Sequence, residues 1–550
     1  MGSYAPTDYE LHTKPEGQKI NIFVKDPKAI DSLKLAFSAD SGARKDWMKK
    51  TIATSMEDLK LCPPSGKLSI SDFVNKDLVH FFVMTLSRAL PSRLDGLKQS
   101  QRQIIDTILS HSKLHTEMIG LVPFEGLVKS HTGYEHATVY EQTANMIVGY
   151  PGSNNFPLLL NKGGYANRVS SKFAAARYLK TMATPEIKFI YRDEDTPLLE
   201  RGVSSGRRIE YKFTLPVVPI HLINGSRGIA GGWASEIPPY NPIVIINGLR
   251  ECIDGTFDVN APDFVPWFRG FIGKIRKEGN AIFTDGIVEE TDEGFHIKEI
   301  PIGVTMSYIH ETYINKMAGS EPEKSTKKAK KSGKKTKIVE EVAEKKQVKV
   351  KKIMDTTKNV NFPETILIPN PKGDLSLDDF GFLSRRLKAP NFTVVDESGI
   401  PTTFKSAREV LYDFYKCRVK YYPLRKKYWV AQYKREAEVL ENKIRFIQDV
   451  NDGTIIMSLL EKEIVDLMDD MEYLQVDGSY DYLLKLSIRS LTLDKKRNLE
   501  KELEDIRKKI EGYEKISPKQ LYKNDLDDLE TAWNNFLKKT HLERQEVRVV

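Results

Sequence analysis

Long hydrophobic runs are missing from this 550-residue chain. No stretch of about 18 uncharged apolar residues occurs, which excludes a membrane-spanning helix as an organising element. Cysteine is scarce. Cys62, Cys252 and Cys417 lie far apart and form no CxxC pair, so neither a zinc site nor a disulfide scaffold is expected, and a reducing, intracellular compartment is. The polar start, MGSYAPTDYE, lacks the pattern of a signal peptide. No Ser–His–Asp arrangement is evident. His111 and His115 have i, i+4 spacing without the glutamate of a zinc-protease helix. Glycines 225, 228, 231 and 232 are not followed by a phosphate-loop lysine, which excludes that nucleotide cradle.

Positive charge is present but uneven. The formal net charge is +8, and residues 321–352 alone hold 13 Lys against 5 Glu, a surplus of 8. The remainder therefore averages to neutrality, and any nucleic-acid surface there must arise by clustering. The lysine-rich stretch, taken as 319–353, has the low complexity of a disordered surface insert, with a marginal helix or strand at its end.

The length suggests several domains. Residues 1–65 read as a lead, and 66–240 as a helical region with landmarks. Asp72 is a candidate cap for the helix in FVNKDLVHFFVMTLSRAL. Asp95-Gly96 turns the chain into QSQRQIIDTIL, a helix with Ile104, Ile105 and Ile108 on one face and Lys98 and Arg102 at its start. A helix entered through a tight turn and opening on basic residues resembles one that presents its N-terminus to DNA. Residues 241–402 turn to short β-like runs around glycine turns, a small mixed domain. Residues 403–545 are helical. Val430, Tyr433, Ala437, Leu440, Ile444 and Ile447 form one heptad seam, and Leu499, Leu503, Ile506, Ile510 and Tyr513 another. Two long antiparallel helices with a small knob at the tip are the simplest geometry. The fold class is α+β, multidomain.

Two stretches carry candidate chemistry. SSKFAAARYLKTM places Arg177-Tyr178 after a run of alanines, with Arg168 and Lys172 just before. A phenol has a pKa of about 10 and is a poor nucleophile unless cations meet the charge that develops. Tyr178 is thus either a half-buried packing residue or a nucleophile for a phosphodiester. INGSRGIAGGWASEIPPYNP raises Ile229 on a glycine-rich turn, where it either pins the loop or wedges between base steps.

Taken in order, these stretches resemble the type IIA DNA topoisomerases in their eukaryotic form. SISDFVNKDLVHFF, LPSRLDGLKQSQRQII, YPGSNNFPLLLNKGGYANR, AARYL, INGSRGIAGGWASEIPPYNP and the two helical seams follow the family's order. The resemblance implies a winged-helix DNA gate over 66–240, a tower domain over 241–402, and a coiled coil with a C-gate through which the protein forms a homodimer. It implies double-stranded DNA as partner and Tyr178 as the nucleophile of a 5′-phosphotyrosyl link, assisted by Arg177. Ile229 would intercalate, and Lys98, Arg102, Arg168, Lys172 and His136 would contact the DNA. It also implies Mg2+ and ATP, each bound by a domain not recognisable in these residues. The setting would be the nucleus or a cytoplasmic virus factory. The family's Tyr-His-His-Gly is Tyr134-Glu135-His136-Ala137 here, the tyrosine loop is about two residues shorter, and GFLSRRLKAPNFTVVD matches poorly. Such departures point to a divergent copy, as in a large DNA virus. A non-enzymatic DNA-bending protein dimerised by a coiled coil, or a scaffold without DNA, are the competing readings.

Overall fold

The computed structural model describes residues 21–54, 66–133, 139–204, 206–279, 281–319, 348–456, 458–487 and 492–539. They fall into two units. One comprises residues up to 191, 200–414 and from 528 on; the other comprises 192–199 and 415–527. The second unit takes up its main segment at Tyr415. Among the described residues no helix is long and apolar enough to cross a membrane.

The first unit mixes short sheets with helices. Helix α1, Val79–Ala89, buries Val79 and Leu86. Three turns ahead of it Ser69, not Asp72, is the cap: its hydroxyl accepts from the Asp72 N–H at 3.0 Å. Helix α2, Gln99–Ser110, buries Ile104, Ile105 and Ile108 as their spacing dictates. Its N-terminus is closed by the Gln101 side chain, which accepts from the Lys98 N–H at 3.0 Å. Helices α3, Leu121–Thr132, and α4, Val139–Ile147, pack on it. A three-stranded sheet follows the order β1 (Ile119–Gly120), β3 (Lys180–Ala183), β2 (Leu159–Lys162), with Lys162 opposite Lys180. A hairpin of β4, Ser226–Ala230, and β5, Trp233–Ile237, leads into helix α5, Pro242–Asp254. The residues past 241 thus begin as a helix, because Asn241 caps it by accepting from the Ile243 N–H and Pro242 sits in its first turn.

The β-rich texture is realised beyond that helix. Strands β6 (Lys274–Glu278), β7 (Ala281–Asp285) and, later in the chain, Ser384–Arg386 form one sheet. Strands β8 (Ile287–Thr291), β9 (Gly294–Glu299), β10 (Val350–Asp355) and β11 (Thr365–Pro369) form another, in the order β8-β9-β11-β10. Their core is Phe295, Ile297, Ile300, Leu367 and Phe380. Strand β10 realises the strand alternative at the end of the lysine-rich segment. Val350 is buried and Lys351 and Lys352 are exposed on an edge strand, where lysines discourage further pairing. Residues 320–347 lie outside the described residues.

The second unit is helical. Helix α6, Tyr421–Asn451, and helix α8, Leu493–Lys515, pack through Ala437, Leu440, Ile447, Leu499, Leu503 and Ile506, with Tyr433, Ile444 and Ile510 flanking. Lys434 pairs with Glu514, Glu441 with Arg507 and Gln448 with Lys496, so the helices run antiparallel. Between them, helix α7, Glu461–Asp470, closes a small core of Phe446, Ile455, Ile464, Met468, Tyr473, Tyr480 and Leu483. At the other end, Arg425 donates to Asp525 at 2.7 Å, Tyr422 donates to the same carboxylate at 2.9 Å, and Arg418 pairs with Asp195. All of these side chains are buried.

Candidate nucleic-acid interface

Tyr178 lies on the loop joining β2 to β3. Because Lys162 and Lys180 are paired neighbours, the loop leaves and re-enters the sheet at one place. Gly163 makes the closure possible. Its φ is +124°, and a Cβ there would lie 2.6 Å from the Tyr178 carbonyl oxygen. The Ala174 N–H donates to the Gly164 carbonyl at 2.8 Å, and the Tyr140 hydroxyl to the Ala174 carbonyl at 3.0 Å. Ala176–Tyr178 then form one 3-10 turn. Leu179 is fully buried, whereas Tyr178 is 66% exposed. The buried neighbour fixes the backbone and leaves the phenol in solvent. The Arg177 guanidinium lies 5.2 Å from the centre of the Tyr178 ring, and Lys172 is exposed on the same loop.

Ile229 is 79% exposed, the most exposed large apolar side chain among the described residues. It sits on β4 opposite Ala234. Gly228 brings the strand against α1 so closely that a Cβ would lie 1.8 Å from the Ala89 carbonyl oxygen. The hairpin is thereby seated while its apolar crest projects outward. An isoleucine this exposed in the free protein contributes little packing.

Beside the hairpin runs a cleft of about 490 Å³. Lys98, Arg227, Arg385, Arg386 and Lys388 line it, and Glu236 pairs with Arg227 and stands 3.8 Å from Lys388. Lys98 donates to the Arg227 carbonyl, and burial lowers the pKa of its amino group. The cations at 227, 385, 386 and 388 were not found by sequence reasoning. The signal was the cluster SRRLK, in a stretch whose fit to any motif is poor.

Two expected DNA contacts are withdrawn from the surface. Arg102 donates to buried Asp95 at 2.6 Å, and Asp95 also accepts from the Leu97 and Thr214 N–H groups. Arg168 is 1% exposed and donates to Glu299 at 2.7 Å. Both guanidiniums are engaged by internal acceptors; the Arg168 side chain is buried and that of Arg102 is 11% exposed. His136 lies outside the described residues. Among the described residues no group of three or more His, Cys, Asp or Glu side chains stands together as a metal site.

Comparison with known proteins places this architecture. The fold matches the DNA-binding, cleavage and re-ligation domain of Plasmodium falciparum topoisomerase II with a TM-score of 0.79, over 95% of this chain and 72% of that one, at 24% identity. The family model for the A-type subunit of DNA gyrase/topoisomerase IV matches residues 88–527, and the chain belongs to that family. Among curated relatives, DNA topoisomerase 2 of Arabidopsis thaliana is 29% identical over 92% of this chain and 36% of its own length. That of Penicillium chrysogenum is 28% identical over 97% and 34%. That of invertebrate iridescent virus 6 is 27% identical over 95% and 44%. The chain thus spans less than half the length of these relatives.

Proposed function

We propose that this chain is the DNA-binding, breaking and rejoining part of an ATP-dependent type II DNA topoisomerase. One observation carries the reading: a solvent-facing tyrosine with an arginine over its ring, on a loop whose backbone is anchored on both sides. In the proposed step the Tyr178 oxygen bonds to a phosphorus of the DNA backbone. The bond from that phosphorus to the neighbouring 3′ oxygen breaks, and the proton lost by the phenol ends on the 3′ hydroxyl. Arg177 meets the charge on the phosphate oxygens. The bond energy is kept in the 5′-phosphotyrosyl ester, so reversal reseals the strand. Tyr178 of a second copy cuts the other strand, and a second duplex passes through the break.

Ile229 wedges between base steps and bends the duplex. Lys98, Arg227, Arg385, Arg386 and Lys388 supply a phosphate track beside it, with Lys172 near the scissile bond. Mg2+ would assist at the phosphate and ATP would drive strand passage. The described residues do not fit either group: no carboxylate cluster is available for the metal, and the glycine-rich hairpin has no phosphate-loop lysine. No step is therefore derived through them. Homodimerisation is proposed through the C-gate at the α7 end of the second unit, where Ile456 and Leu460 are 51% and 72% exposed.

The test is a denaturant trap of the intact protein on duplex DNA with Mg2+. A covalent protein–DNA adduct is expected from the unmodified protein and none from Tyr178→Phe; an adduct that survives the substitution removes Tyr178 from the reaction. A purely architectural DNA-bending protein would give no adduct at all.

A further inference from the structure

Arg168, withdrawn from the DNA surface, has a different task. Its guanidinium donates to Glu299 at 2.7 Å and to the Ile300 and Pro301 carbonyls, the latter at 3.1 Å. It also lies 6.0 Å from the centre of the Phe271 ring. Glu299 is 2% exposed and is itself held, accepting from the Ile300 N–H at 3.0 Å and the Ile272 N–H at 3.2 Å. The backbone around Arg168 is fastened as well. The Met306 N–H donates to the Arg168 carbonyl at 2.8 Å, the Ser307 hydroxyl to the Val169 carbonyl at 2.7 Å, and the Arg168 N–H to the Val360 carbonyl at 3.2 Å.

All of these acceptors and donors belong to the β9 end and the segments around it, more than 100 residues further along the chain. Ten residues after Arg168 stands Tyr178, whose own carbonyl abuts Gly163. The loop is therefore held near its ends, at Gly163 and through the Tyr140 hydroxyl at Ala174, and in its middle at Arg168. Between Arg168 and the 3-10 turn, residues 171 and 172 are exposed. Without Arg168, the run from Gly164 to Ala174 would be tied to the rest of the unit near its two ends, through Tyr165 to the Lys180 carbonyl and through Ala174 to the Tyr140 hydroxyl.

We infer that Arg168 and Glu299 are positioning residues for Tyr178: a buried, fork-shaped ion pair that sets the register of the tyrosine loop against the β9 sheet. A guanidinium suits this and an ammonium does not, because three acceptors in different directions are bound by one planar group. A buried pair of this kind is a weak source of net stability, since desolvation offsets the attraction, but it admits one arrangement of its neighbours. Displacement of a nucleophile by about 1 Å can cost about 10²-fold in rate.

The inference rests on the proposed function, and the test separates the two. Adduct formation by the intact protein with Mg2+ is timed in single-turnover mode, and duplex affinity is measured in parallel. Two variants are compared, Arg168→Lys and the double change Arg168→Met with Glu299→Met, which removes both charges and leaves no buried ion unpaired. Both are expected to lower the adduct rate by about 10- to 100-fold while duplex Kd stays within about threefold, because the Arg168 side chain is buried and offers no surface to a duplex. Adduct rates equal to the unmodified protein in a folded variant overturn the positioning role. So does a Kd that weakens in step with the rate, which would indicate a general loss of the binding surface. If the unmodified protein gives no Tyr178-dependent adduct, the functional reading fails and the positioning role falls with it.

Discussion

At Tyr178 and Arg177 the protein separates reach from rigidity. The phenol is in solvent, while its backbone is pinned between Gly163 and buried Leu179. Arg177→Ala is expected to slow adduct formation by about 10²- to 10³-fold, the usual effect of removing one group aimed at developing charge. A rate within threefold of the unmodified protein would contradict its role. Ile229→Ala, by contrast, is expected to leave affinity for a relaxed duplex nearly unchanged and to reduce bending, read by FRET between duplex ends. His221 supplies a pH test. It is fully buried with neither ring nitrogen hydrogen-bonded among the described residues, and burial pushes its pKa down to about 4 against the weaker pull of Asp95 and Asp413. The folded state therefore refuses a proton that the unfolded chain takes up below about pH 6.5. Stability should be unaffected above that pH, fall as pH drops toward 4, and lose up to about 3 kcal/mol in that window. His221→Leu should flatten this part of the urea-midpoint profile; an unchanged slope would show that other groups set it.

The elements divide into those whose reason lies nearby in sequence and those whose reason lies far away. Helix α2 and the pairing of α6 with α8 were legible because 3.6- and 3.5-residue periods are local. The close backbone approach beside Ile229 was legible because glycine density marks it, here against Ala89, but the hairpin was not, since Gly228 and Ile229 lie in a strand and not in the expected irregular turn. That Arg102 and Arg168 reach internal carboxylates was not legible, for the opposite reason. A basic residue near a candidate site looks like a phosphate contact until its acceptor is known, and Glu299 lies 131 residues from Arg168. The cap at Ser69 shows the same limit on a small scale, since two nearby residue types compete for the role. At this scale Leu503→Ala, in the α6–α8 seam, is expected to destabilise the protein by about 2–4 kcal/mol through the cavity it leaves. Glu504→Ala, on the exposed face, should change stability by less than about 0.5 kcal/mol. Equal losses would mean that the seam is not the stabilising contact.

For the whole molecule, the reading as a topoisomerase core requires two copies, since one tyrosine cuts one strand. The exposed apolar side chains Ile456, Leu459 and Leu460 in the helical unit are the contact we propose. Ile456→Asp combined with Leu460→Asp is expected to convert a dimer to a monomer in light scattering; a dimer that persists would place the contact elsewhere. Charge at this scale is also informative. With the excess positive charge gathered in the lysine-rich segment, the phosphate track depends on the few cations brought together at 98, 227, 385, 386 and 388. Duplex binding should therefore weaken steeply with salt. The central claim is covalent chemistry at one residue, and one measurement meets it directly: mass-spectrometric mapping of the residue that carries the nucleotide after trapping on duplex DNA. The account requires the 5′ phosphate on Tyr178. A nucleotide on any other side chain, or a trapped protein with no nucleotide attached, would contradict it.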